Sequence, residues 1–433
     1  MMDLILRDAR AFGLDRAEPA SIGIADGKIA AIAPALEADA PVLDLGGRLV
    51  APGLVETHIH LDKTCIIDRC KSEQGTVAEA VAETAAAKRA FTQADIYARA
   101  ARTLRKCLLN GTMLMRTHVE VDPGIGLKGF DAVSRLARDY AWAIDIEICA
   151  FPQEGLLNNP GTDALLEECL RQGAPVLGAV PYMDSDPRGQ IDRIFELARE
   201  YDVDIDLHLD LGDTPDGMQI GYVCDKTEEY GYGGRVAVGH VTQLSTAPSQ
   251  QFQEIARRLA DVGVAVTVLP STDLYLTGRS QDHSVLRGVT AAHKLIHAGV
   301  NCSLSTNNVL NPFTPYGDAS LIRMANLYAN VCHVSRPTEL VECFAMVTTR
   351  SARLLRREHY GIAVGNPADL TVFDCADARA AVAELVAPLF GLKRGRLSFT
   401  RPPAQLEPGQ AGAEIGRLAA LLTPAGNDAL RST

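Results

Sequence analysis

The chain has no surplus of basic residues: 42 Lys and Arg against 54 Asp and Glu leave a formal charge of −12. Nucleic-acid and anionic-membrane surfaces both need a basic face, so neither kind of partner is expected. The ten cysteines form no CxxC pair, which argues against a zinc ribbon or a thioredoxin-like site. Cys107, Cys149, Cys302 and Cys343 sit in apolar, strand-like or helical surroundings, where a free cysteine is a small core residue. That usage suits a reducing cytoplasm, the expected location. No apolar run is long enough to span a bilayer, and "MMDLILRDARAFGLDRAEP" carries acids and bases that a signal peptide would lack.

What is present is a long, half-apolar chain. Its 433 residues can form one large domain or two ordinary ones, with a core that needs no disulfide or metal to fold. The first fifty residues read as short strands with tight turns, in "LILRDARAF", "ASIGIADGKIAAIAP" and "PVLDLGGRLVAPG". "GIAVGNPADLTVFD", from Gly361 to Asp374, repeats that character. Residues 1–50 and 361–433 are therefore expected to form one small β-sandwich domain from both chain ends.

Residues 51–360 alternate strands with helices. Strand candidates are 53–61, 112–121, 146–153, 175–182, 203–210, 235–242, 264–272 and 301–308. Helical patterns separate them, several ending in glycine, as at Gly173 and Gly263. Eight such units predict a closed (β/α)8 barrel. An open, doubly wound sheet is the alternative, but no GxGxxG turn follows the first strand.

Active sites of such barrels lie at the C-terminal ends of the strands. His58, His60, His118, His208 and His240 fall there, on the first, second, fifth and sixth barrel strands. Alternation turns His58 and His60 to one face, half of a site for Zn²⁺ or Fe²⁺. His208 in "DLHLD" and His240 in "VGHVT" extend the cluster. One divalent metal ion, Zn or Fe, is thus the expected cofactor; it would bring the pKa of a water from near 16 toward ~7. On the eighth strand Ser303, Ser305 and Asn307 share the inward face by the same alternation.

This sequence resembles the amidohydrolase superfamily, and within it the cytosine deaminase-like branch. The likeness is carried by "VETHIHLDKT", "RTHVEVDP", "AFPQEGLL", "VLGAVPYMD", "DLHLD", "GHVTQLS", "NNVLNPFTPYGD" and "GIAVGNPADLTVFD". It implies a metal-dependent hydrolase that cleaves a C–N bond in a small N-heterocycle. By the resemblance His58, His60 and His208 match metal ligands, and His240 a residue that contacts the nucleophile or substrate. Gln153 matches a glutamine that hydrogen-bonds the ring amide edge, with Phe151 beside it and Asn308 a further substrate-binding candidate. A nucleobase deaminase of the unrelated HxE…PCxxC type is excluded by the absence of that signature.

The chain departs from the branch twice. Leu211 stands where its deaminases carry a proton-shuttling glutamate, and Asn307 where they carry an aspartate that is both ligand and base. Asparagine offers a carbonyl oxygen but no useful basicity. Asp210, expected on the same strand face as His208, is the favoured replacement base, ahead of Glu154, Asp62, Glu120, Asp122 and His240. Lys63 is expected to pair with a carboxylate. The expected partners are a small-molecule substrate and further copies of the chain. Alternatives to deamination or amine release are opening of a cyclic amide or imide, and a degenerate barrel that binds a small ligand.

Overall fold

A computed structural model describes residues 1–14, 18–404 and 406. The later part of the stretch assigned above to the terminal domain, residues 405 and 407–433, lies outside the described residues.

Both chain ends contribute to one sheet. From the N-terminal side come β1 (Leu4–Ala11), β2 (Ala20–Ala25), β3 (Lys28–Ala33) and β4 (Val42–Pro52). The barrel follows as β5 (Leu54–Ile59), β6 (Thr112–Glu120), β7 (Asp145–Phe151), β8 (Val176–Ala179), β9 (Asp204–Leu209), β10 (Val236–His240), β11 (Val264–Val268) and β12 (Cys302–Leu304). The chain then returns to the first sheet with β13 (Leu370–Phe373), β14 (Pro388–Lys393) and β15 (Arg396–Thr400). The seven-stranded sheet runs β15-β14-β13-β4-β1-β2-β3, with β4 against β13 stitching the two ends together. Its own core holds Leu6, Ile22, Ile24, Val50, Leu370 and Val372.

The eight-stranded sheet runs in simple sequence order from β5 to β12, every described pairing parallel. Its seam is narrow. Ile59 bridges Asn307 in parallel; the Asn307 N–H donates to the His58 carbonyl, and the His60 N–H to the Asn307 carbonyl (both 3.0 Å). Inside that seam Thr57, Ser303, Ser305 and Thr267 form a chain of hydroxyl contacts of 2.7–2.9 Å. Deeper in the barrel Arg116 is fully enclosed, its guanidinium donating to Asp206 at 2.9 Å and to Glu147 at 2.8 Å. A buried charge of this kind is tolerable only when paired and hydrogen-bonded. Outside, Leu104, Val133, Leu166, Ile194, Val223, Leu259 and Tyr328 from the surrounding helices pack on the strands as one continuous core.

Candidate metal centre and active site

Alternation along β5 and β9 aims His58 and His208 into the barrel mouth, and His60, one residue past β5 and tied by its N–H to the Asn307 carbonyl, joins them. The Nε2 atoms of His58 and His60 each lie 3.1 Å from His208 Nε2, and all three rings are buried. Burial first, then repulsion from neighbouring imidazoles and, for His60 and His208, from Lys63, holds all three pKa values well below the usual histidine range. Neutral rings with converging nitrogens cannot all satisfy one another by hydrogen bonds. A cation between them would. Asn307 lies against His240, its Nδ2 3.5 Å from His240 Nε2, and its Oδ1 is buried with no hydrogen-bond partner among the described residues. Three imidazoles and one carbonyl oxygen are a donor set suited to Zn²⁺ or Fe²⁺.

His240 completes the mouth from the end of β10. Its Nδ1 faces Asp273 Oδ1 at 2.6 Å, leaving Nε2 toward the centre, 3.5 Å from Asn307 Nδ2. Asp273 sits in the helix Pro270–Leu276 and also accepts the Leu269 N–H. Burial raises its pKa, against the opposing pull of His240. His240 and Val241 both adopt left-handed φ, +71° and +46°, the latter a strained conformation for a β-branched residue. A Cβ at Gly239 would lie 3.0 Å from His58 Cε1 and press on that ring.

Asp273 was not among the sequence candidates. In "VLPSTDLYL" it reads as an acid in a first helical turn, and nothing local signals a histidine 33 residues earlier in the chain. Asp206 was also missed, although it alternates with His208. Anchored by Arg116, it lies 3.8 Å from His58 Nδ1 and 3.6 Å from His118 Nε2, beneath the centre. His118 stacks on His58 at 3.8 Å between centroids and so backs that ligand.

The remaining candidates fall as follows. Asp210 lies one residue past the end of β9 with φ +48°, so alternation no longer governs it and it does not share the face of His208 as expected. Its two carboxylate oxygens accept the N–H groups of Gln219 and Ile220, at 2.7 and 3.0 Å. Burial nonetheless pushes its pKa up to about 6. Phe151 stacks on His208, 4.8 Å between centroids and 13° from parallel. Asn308 Oδ1 accepts from Asn311 Nδ2 at 2.7 Å. Lys63 does pair with a carboxylate, Glu120, at 2.8 Å, and donates to Gln153 Oε1 at the same distance. Glu120 also meets Lys88, which in turn pairs with Asp122 and Glu154. Burial would raise the Glu120 pKa, but Lys63 and Lys88 overcome it and hold the carboxyl at about 2. Leu211 turns into an apolar cluster with Ala80, Leu276 and Phe313.

A closed parallel barrel with imidazoles gathered at its C-terminal mouth defines the class of metal-dependent barrel hydrolases. More particularly, the chain belongs to the amidohydrolase family, whose model matches residues 41–140 and 130–396. It is similar to N-isopropylammelide isopropyl amidohydrolase of Pseudomonas sp. (strain ADP), 29% identical over 406 residues that cover 91% of this chain and 96% of that one. It is similar also to pterin deaminase of Rhizobium rhizogenes, 29% identical over 360 residues, 82% of each chain. Among solved structures, 5-methylcytosine deaminase from Klebsiella pneumoniae liganded with 5-fluorocytosine superposes with a TM-score of 0.87 at 27% identity, over 94% of this chain and 98% of that chain. Among the described residues no helix is long and apolar enough to cross a membrane.

Proposed function

We propose that this protein hydrolyses a C–N bond in a small oxo-substituted N-heterocycle, releasing ammonia or an amine, with His240 as its proton carrier. The observation that carries this reading is the convergence of three neutral imidazoles beside a histidine whose other nitrogen is tied to a buried aspartate. Relatives that act on an ammelide, a pterin and a methylcytosine support the substrate class.

His58, His60 and His208 would hold the metal, with Asn307 Oδ1 as a neutral fourth donor. A divalent ion there supplies Lewis acidity and lowers the pKa of a water. The rest falls to the protein. Asp273 fixes the His240 tautomer with its proton on Nδ1, so Nε2 is free to take a proton from the attacking water. Asp273 then stabilises the imidazolium, which hands the proton to the departing nitrogen. No glutamate is needed for either transfer. Where that glutamate would stand, Leu211 packs on Leu276 and Phe313 and has no proton to give, so both transfers fall to His240. Asp210 we assign to holding the start of the helix Ile220–Glu229 rather than to proton transfer.

We propose further that the protein works in the cytoplasm as a homo-oligomer. Its ten free cysteines and the exposed Val42, Leu43 and Leu397 on the seven-stranded sheet support it.

The test is a screen of zinc-loaded protein for ammonia and alkylamine release from pyrimidines, pterins and N-alkylamino-triazines. Release by the wild type and a roughly 10²–10⁴-fold lower kcat in Asp273→Asn, with metal content unchanged, is the expected outcome. Stoichiometric metal without amine release from any ring would reject the reading. An undiminished rate in Asp273→Asn would reject the dyad.

A further inference from the structure

Below the gathered imidazoles lies a second layer that the proposed reaction does not use. Alternation sets Arg116 and His118 on one face of β6, and Asp206 and His208 on one face of β9, each charged residue a pleat below its histidine. Arg116 donates to Asp206 Oδ2 at 2.9 Å and to Glu147 Oε1 at 2.8 Å, which fixes the Asp206 carboxylate. The other oxygen, Oδ1, is turned toward two rings. It lies 3.8 Å from His58 Nδ1 and 3.6 Å from His118 Nε2. All three atoms are buried, and none has a hydrogen-bond partner among the described residues. Each gap exceeds a hydrogen bond by about half an ångström, so a small turn of either ring closes it. His118, stacked on His58 with centroids 3.8 Å apart, restricts tilting of the His58 ring.

We infer that Asp206 is a positioning residue for the metal centre: it accepts the His58 Nδ1–H and so keeps His58 Nε2, which faces His208, bare for a cation. A neutral imidazole that offers Nε2 must carry its proton on Nδ1, and a buried donor without a partner is costly. Asp206 Oδ1 removes that cost, and a charged acceptor makes the ring a stronger ligand. A carboxylate oxygen has two lone pairs, so it can accept from His118 Nε2–H as well without releasing His58. Among the described residues no carboxylate pairs with His60 or His208, so the support is particular to His58. His58, His118 and Asp206 are close enough to hold a cation of their own, but the Arg116 guanidinium already occupies the carboxylate and would repel one.

This inference rests on the reading of His58, His60 and His208 as metal ligands, and its test needs no turnover. Zinc affinity is measured by chelator competition. In Asp206→Asn the amide oxygen must face Arg116, which has donors only, and the NH₂ then meets His58. That NH₂ calls for a bare Nδ1 and drives the His58 proton onto Nε2, against the metal. Affinity should fall about tenfold to a hundredfold. Glu147→Gln weakens the same Arg116 pairing without touching either histidine, and His118→Phe keeps a stacked ring without its nitrogens; both should stay within about threefold of the wild type. In zinc-loaded wild type with isotope-labelled histidine, NMR should show a downfield Nδ1 proton that persists in His118→Phe and is lost in Asp206→Asn. Unchanged affinity in Asp206→Asn, an equal loss in Glu147→Gln, or absence of that proton from the wild type would overturn the assignment. The last of these decides the matter if Asp206→Asn does not fold. Two zinc ions per chain, the second lost in His118→Phe, would overturn it as well, by making the trio ligands. A wild type that binds no zinc would remove the metal centre and this inference together, whereas tight zinc binding unaffected by Asp206→Asn would remove this inference alone.

Discussion

Asn307 shows how much one atom decides at this centre. An aspartate there would bring a negative charge and a base; the asparagine brings a neutral carbonyl oxygen, buried and without another partner. Its φ of +58° is left-handed, a conformation that asparagine and aspartate both tolerate. Asn307→Asp therefore changes the chemistry without straining the backbone. Metal affinity, measured by chelator competition, should rise by roughly tenfold or more, the scale on which changes around a ligand sphere act. Unchanged affinity would place the side chain outside the coordination sphere. Alternation predicted an inward residue 307 from a continuous strand, yet the strand ends three residues earlier, at Leu304. The bridge to Ile59, not the pleat, delivers the side chain. Asp273 was not legible at all, because its meaning lies in a contact between β10 and the helix after β11.

At the scale of the element, alternation served well up to the last ladder-bonded residue and failed beyond it. The strand ends of β5 and β9 carry His58 and His208 where the sequence implied. Asp210, the next residue but one after His208, already belongs to the turn and holds the first amides of the helix Ile220–Glu229. Its removal in Asp210→Ala should cost about 1 kcal/mol, within the ~0.5–2 kcal/mol range for losing a helix-start acceptor. Urea denaturation would read the loss, and faster hydrogen exchange at the Gln219 and Ile220 amides would locate it. Loss of turnover with stability and exchange untouched would return Asp210 to the role of base. The barrel itself was readable because eight strand–helix units leave a strong pattern, while strand lengths were overestimated in β11, where the helix Pro270–Leu276 begins inside the expected span, and in β12, which stops at Leu304.

For the molecule as a whole, the loops at the mouth are tied together by charge. Lys63 after β5, Glu120 at the end of β6, Asp122 beyond it, Glu154 after β7 and Lys88 at the end of the helix Val77–Lys88 form one network, most of it buried. Removing one member of a buried pair typically costs about 3–5 kcal/mol, so Glu120→Gln should be markedly less stable than the wild type at pH 7. Because the folded-state pKa of Glu120 is depressed from 4.5 to about 2, its contribution is present above pH 4.5 and fades as the pH falls toward 2. The stability gap between wild type and Glu120→Gln should then narrow below pH 4.5, a trend that thermal unfolding at pH 7, 5 and 4 would track. A gap independent of pH would deny the network its ionised form. The barrel seam carries a different lesson. The join between β5 and β12 at residue 307 uses the N–H and carbonyl of the main chain alone. Its side chain is left out of the closure, and its left-handed backbone favours asparagine, aspartate and glycine. Reaction chemistry can therefore diverge at this position among a carboxylate, an amide and an empty place while the architecture stays shut, so evolution of the activity is uncoupled here from evolution of the fold.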